Sequence, residues 1–192
     1  MIIKELGIVS ESSGYSLKGS FTPDLITSKV WLLQEVGKLA PQVDTVYILG
    51  SWYGNTSLYM KLQPTFDFSK AINVEKDQKM LQQSSRMLKH IGADNVDHMF
   101  ADANDLDYRQ LGNNGLVINT SLTDMPGHAW FDNIPNGTMV ALQARDHDPG
   151  RKFDSTDDIL KLYPLSKVLY QGSLDLKDPE TNYTRFMVIG KK

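Results

Sequence analysis

The feature that most constrains this chain is a rhythm in which short β-rich apolar runs alternate with stretches of helical spacing. The runs are VDTVYILG (43–50), AINVE (71–75), VDHMF (96–100), GLVIN (115–119) and TMVALQ (138–143). VDTVYILG is short, β-rich and ends in Gly50, which is how a strand buried on both faces reads. Between the runs, a helix is expected over 55–62 and a longer one from Gln78 to Ile91. In the second, Met80, Leu81, Met87, Leu88 and Ile91 fall on roughly one face, and Gly92 is a C-terminal signal. A helix before the first strand begins at Pro23, with Ile26, Val30, Leu33 and Val36 at helical spacing. Gly37 and Pro41 read as its stop signals. Strands separated by helices or long crossovers run parallel, with helices on the sheet faces. The tail breaks the rhythm: after a helix near 156–162, SKVLYQGSL (166–174) and YTRFMVIG (183–190) flank a short polar loop and should pair antiparallel.

A chain of 192 residues is long enough for one sizeable core, and no repeat or Gly/Ser-rich linker divides it. We therefore expect a single domain over 1–192. Residues 1–42 form a polar lead-in and helix, and 43–190 form the α/β core. The net charge of −3 gives no general pull toward nucleic acid or acidic membranes. Cysteine is absent, which excludes a thiol nucleophile, disulfides, a zinc ribbon and cysteine-ligated iron–sulfur clusters. His90, His98, His128 and His147 show no metal-ligand spacing, so no metal is expected. No apolar run approaches the roughly 20 residues that span a bilayer, and MIIKELGIVSESSG lacks the apolar core of a signal peptide. The expectation is a soluble, cytoplasmic protein with no membrane contact.

The loop after the first strand, YILGSWYGNTSLY, puts Gly50 and Gly54 in a strand-to-helix turn, where backbone can approach a ligand closely. Glu75 ends the next strand, 21 residues after Gly54, where a carboxylate can accept both hydroxyls of a ribose. Asp102 follows the third strand. Taken alone, the two glycines are a weak signal and read more readily as a turn that needed glycine for packing; the ordered series points to a nucleotide-like ligand. GSWYGNTS lacks the spacing and lysine of a phosphate-cradling loop. It also lacks the dinucleotide fingerprint, because Trp52 stands where the second glycine belongs and would crowd a pyrophosphate.

At these residues the sequence resembles the class I S-adenosylmethionine (SAM)-dependent methyltransferases. YILGSWYGNTS stands at that family's first motif, Glu75 at its ribose-binding acid, Asp102–Ala103 at its adenine-reading stretch and LVINTS (116–121) at its fourth motif. GSWYGN, INTS, WFDNIP and RFMVIG look closest to a group of small methyltransferase-like proteins, some encoded by phages. The resemblance covers about residues 43–190 and implies a Rossmann-like, doubly wound α/β fold closed by an antiparallel hairpin. It implies SAM held by Gly50, Ser51, Trp52, Gly54, Asn55, Glu75, Asp102, Ala103 and Asn119. Two positions depart from the family: Ile48 replaces the first motif's acid and Trp52 its central glycine. The N-P-P-Y signature of DNA amino-methylation is missing, with INTS in its place.

Methyl transfer needs an aligned nucleophile and a destination for its proton. Asn119, Asp124 and His147 are the catalytic candidates, and Thr120, Ser121 and Arg145 the substrate contacts, all at the carboxyl ends of the fourth and fifth strands. Each has a plainer reading. Asn119–Ser121 form an ordinary turn whose side chains cap backbone, and Arg145–Asp148 a solvated loop. Lys29 is a possible ligand contact, though a solvated helix face is its commoner role; Trp130 and Phe131 read as anchors of a short helix. The leading expectation is methyl transfer to a small-molecule acceptor, with nucleic acid disfavoured. The alternative is a SAM-binding protein with another group transfer or a sensing or structural role, motivated by Ile48 and Trp52.

Overall fold

All five apolar runs become strands of one seven-stranded sheet in the computed structural model, which describes residues 18–125, 127–146, 152–177 and 181–192. The strands are β1 (Gln42–Leu49), β2 (Asp67–Glu75), β3 (Val96–Phe100), β4 (Gly115–Asn119), β5 (Met139–Arg145), β6 (Lys167–Lys177) and β7 (Asn182–Lys191). Their order is β3-β2-β1-β4-β5-β7-β6. β1 to β5 run parallel, whereas β7 pairs antiparallel with both β5 and β6. The chain winds outward from β1 in one direction and from β4 in the other. This makes the β1/β4 boundary the switch point at which such sheets open a crevice.

Alternation along the strands sends side chains into two apolar layers. Val46, Ile48, Leu116 and Ile118 meet Leu32, Leu58 and Met87 from α1 (Pro23–Leu39), α2 (Asn55–Leu62) and α3 (Gln78–His90). Tyr47, Leu49, Val117 and Val140 meet Trp130 and Phe131 of α4 (Ala129–Asp132) and Ile159 of α5 (Thr156–Leu162). With both faces covered, neither parity of a central strand is polar, which is why the runs read as continuously apolar.

Three sequence expectations shift. β2 starts at Asp67 because Gln42 to Thr45 of β1 already pair with Asp67 to Lys70. Gly37 does not end α1, which continues to Leu39; a Cβ there would collide with the Thr65 carbonyl, so this glycine serves a close approach. The buried face of α1 is also rotated from the expected one. Ser28, Lys29, Leu32, Leu33 and Val36 are buried, while Ile26 and Val30 are half-buried at its flank. Of the polar lead-in, residues 1–17 lie outside the described residues, and Ser20 is buried.

Candidate active site

A cavity of about 530 Å³ opens above the carboxyl ends of β1 and β4, within the 300–1,000 Å³ common for small-ligand sites. On one side of Gly50 it is lined by Ser51, Trp52, Asn55, Glu75, Asp102 and Ala103, and on the other by Thr120, Ser121, Asp124 and Arg145. Eleven residues singled out from sequence, these ten and Gly50, thus share one cavity. Two others do not line it: Gly54 sits at the N-cap of α2 and Asn119 is fully buried. His147 lies outside the described residues.

The first side is built from the loop after β1. Gly50, Trp52 and Gly54 adopt φ of 58°, 52° and 75°, so three residues in five are left-handed. Trp52 is the only non-glycine residue among those described with a positive φ, a conformation that costs about 1–2 kcal/mol outside glycine. Gly54 has a packing reason: a Cβ there would run into Ser84 Oγ, with Asn73 Nδ2 3.1 Å away. Below it lies a buried polar network in which Ser57 Oγ donates to Asn73 Oδ1 at 2.5 Å and Ser84 Oγ lies 2.9 Å from His98 Nε2. Burial holds the His98 imidazole below its usual pKa, against the pull of Asp97.

Glu75, 9% exposed, is pinned by two backbone donors: the Trp52 N–H reaches Oε2 at 2.8 Å and the Asp77 N–H reaches Oε1 at 3.0 Å. Each carboxylate oxygen keeps accepting capacity, so the group is oriented without being used up. Asp77 in turn caps α3, accepting from the N–H groups of Lys79 and Met80. Asp102 Oδ1 accepts from the Asn104 backbone and side chain, both at 2.9 Å. Ser51 Oγ and Asn55 Oδ1 are buried at the cavity without a hydrogen-bond partner among the described residues. Native proteins rarely strand such atoms unless a ligand or water meets them. Ile48, at the position where the family has an acid, is 2% exposed and packed in the apolar layer.

On the other side, Asn119 works on its own turn. Its Oδ1 accepts from the Ser121 N–H at 2.9 Å and its Nδ2 points at Met125 Sδ, 3.3 Å away. Lys29 is not on a solvated face: it is 8% exposed, and its Nζ donates to Thr120 Oγ1 at 2.5 Å. Burial, followed by the charge of Arg185, holds this ammonium well below the usual 10.5; Asp124 opposes the effect. Arg185, 5% exposed, donates from Nε to Ser28 Oγ at 3.1 Å. Ser28 Oγ donates to Gln143 Oε1 at 3.1 Å, and Gln143 Nε2 donates to the Ser28 carbonyl at 3.2 Å. Burial lowers the guanidinium as well. Beside it, Tyr183 OH donates to Asp24 Oδ2 at 2.6 Å. Burial alone would raise the Asp24 carboxyl, but hydrogen bonds from Thr22, Tyr183 and the start of α1 hold it below its usual value.

Sequence reasoning missed Arg185 and Asp24 and took Lys29 for the less informative reading. The signals were present. Arg185 shares its strand parity with the core residues Met187 and Ile189, and Lys29 stands seven residues before the fully buried Val36. Among the described residues, no group of three acidic or histidine side chains is placed to hold a metal ion, and no helix is long and apolar enough to cross a membrane.

No family model and no curated protein matches the sequence. Solved structures resemble its fold. An rRNA methylase from Streptococcus thermophilus superposes with a TM-score of 0.57 at 16% identity, over 86% of this chain and 94% of that one. Magnesium protoporphyrin IX methyltransferase from Synechocystis PCC 6803, solved with SAM, gives 0.58 at 12% identity over 85% and 76%. The N-terminal domain of EvdMO1, solved with S-adenosylhomocysteine (SAH), gives 0.60 at 14% identity over 92% and 84%. The chain has the Rossmann-like fold of the class I SAM-dependent methyltransferases.

Proposed function

We propose that this chain binds SAM and transfers its methyl group to a small-molecule acceptor. The observation that carries the reading is the division of one cavity at Gly50. On one side lie a left-handed loop, a pinned carboxylate at the end of β2 and an acid after β3; on the other lie polar groups after β4 and β5. Glu75 accepts the ribose hydroxyls, and Asp102 with Ala103 holds the adenine edge. With Ile48 committed to the core, Ser51 Oγ and Asn55 Oδ1 are neutral polar atoms open to the methionine end, and their lack of partners among the described residues supports the fit. Glu75 and Asp102 outnumber Lys76 on this side, which suits a ligand with a sulfonium. When bound, the cofactor supplies a methyl group on positively charged sulfur that departs as a neutral thioether.

The chain's own residues do the rest. Asn119 fixes the turn that presents Thr120 and Ser121, and Arg145 meets the acceptor. The Asp124 carboxylate takes the proton that the acceptor nucleophile sheds; His147 is the second candidate for that role. A net charge of −3 and the modest cavity favour a small acceptor over nucleic acid, and the absence of cysteine suits a cytoplasmic setting.

The test is transfer of labelled methyl from SAM to a panel of small amines, phenols and acids, with RNA in parallel. Label on a small acceptor, reduced at least tenfold in Asp124→Asn, is the expected result. Label on RNA alone overturns the acceptor class, and absence of SAM binding overturns the reading.

A further inference from the structure

Lys29 and Arg185 are the two most buried cations at the cavity, and they push on each other. Each is more than nine-tenths buried, and the charge of Arg185 is among the causes that depress Lys29. Among the described residues, neither has a carboxylate at ion-pair distance. A buried charge without a counterion is expensive, and two of like sign more so. The fold nevertheless fixes both. Ser28, itself braced by Gln143, holds Arg185 by Nε alone, so no hydrogen bond within the described residues engages its two terminal nitrogens. Thr120 takes one of the three donors of Lys29. An arginine tied back at Nε presents a rigid fork that matches a carboxylate or phosphate.

The pair sits where an acceptor would. Arg185 is on β7 and Thr120 follows β4, across Gly50 from Glu75 and Asp102. Asp24 and Asp124 act on these cations only through space and weaken the field. Recognition therefore depends on a directly bonded anion instead of diffuse attraction. Resting on the methyl-transfer reading, we propose that Lys29 and Arg185 form the anion-binding end of the acceptor site, and that the methyl acceptor carries a carboxylate or phosphate group seated between them.

Calorimetric titration of the full chain with acetate and with inorganic phosphate, each in the presence of saturating SAH, tests this. One anion should bind, which also identifies the group. Its affinity should fall at least tenfold in Lys29→Met and in Arg185→Met, and Arg185→Lys should recover part of it. SAH affinity should change less than threefold in the same variants. Failure of both anions to bind, or equal binding by wild type and Arg185→Met, overturns the proposal. So does a loss of SAH affinity in these variants with 5′-methylthioadenosine binding retained, because the cations would then hold the cofactor's own carboxylate. Anion binding at Lys29 and Arg185 in a protein that binds no SAH supports the anion site and refutes the methyl-transfer reading separately.

Discussion

Replacing Lys29 with methionine should stabilise the ligand-free protein. The ammonium is 8% exposed, and within the described residues its only hydrogen bond is to Thr120 Oγ1. Exchanging buried charge for an apolar side chain of similar volume is commonly neutral or stabilising by about 1–4 kcal/mol. The lost hydrogen bond gives back about 1 kcal/mol, because half-buried Thr120 can turn to water. A net gain of about 1–2 kcal/mol corresponds to a rise in Tm of roughly 2–8 °C for a domain of this size. The gain has a pH signature. Below the depressed folded-state pKa of Lys29 the fold holds a charged ammonium and the penalty is full. Above the ordinary value of 10.5 both folded and unfolded chains are neutral there and the penalty is gone. Wild-type stability relative to Lys29→Met should therefore climb as pH rises through that window. Calorimetric melts of both proteins in an anion-free buffer measure this. A Tm that falls by several degrees in Lys29→Met would show instead that the ammonium is a satisfied structural group.

Two further perturbations probe the loop after β1. Gly54→Ala combines a φ of 75° with a collision at Ser84 and should cost about 2–4 kcal/mol in urea unfolding. Gly92→Ala, at φ 67° with nothing within 4 Å of the added carbon, should cost only about 1 kcal/mol; equal losses would show that the Ser84 contact is immaterial. Trp52 lines the cavity, is 37% exposed and packs at a tilt against Tyr53, whereas Trp31 and Trp130 do not line it, so SAH should change tryptophan fluorescence chiefly through Trp52. In Trp52→Phe the fluorescence response should vanish while calorimetric binding persists; a retained response would place the ligand elsewhere.

The sheet was legible because its strands are local. Each apolar run carries its own β propensity and ends in a recognisable turn, and the antiparallel close needed only the polar loop before YTRFMVIG. The Glu75 side of the cavity was legible for a related reason, since Gly50, Glu75 and Asp102 each stand at or within two residues of a strand end. The opposite side was not. Its defining bonds join Ser28 to Gln143 and Arg185, more than a hundred residues apart, and no local pattern encodes that meeting. The face of α1 was misjudged because Ile26 and Val30 weigh more in an apolar count than Ser28 and Lys29, although tertiary contact buries the latter pair. A helix that lines a polar cavity has a buried face that hydrophobicity does not mark. Asn119 shows the converse: a polar residue at a strand end whose side chain serves the turn itself.

SAM binding in the cavity at the β1/β4 switch point, with Glu75 on the ribose, is open to a direct test. Calorimetric titration with SAM and SAH, with NAD as the control, tests it directly on wild type and Glu75→Ala. SAM and SAH should bind and NAD should not. Loss of two hydrogen bonds to a charged acceptor, about 3 kcal/mol, should weaken binding at least a hundredfold in Glu75→Ala, with a melt confirming that the variant is folded. Wild-type protein that binds neither SAM nor SAH, or Glu75→Ala that binds both as tightly as wild type, would contradict it.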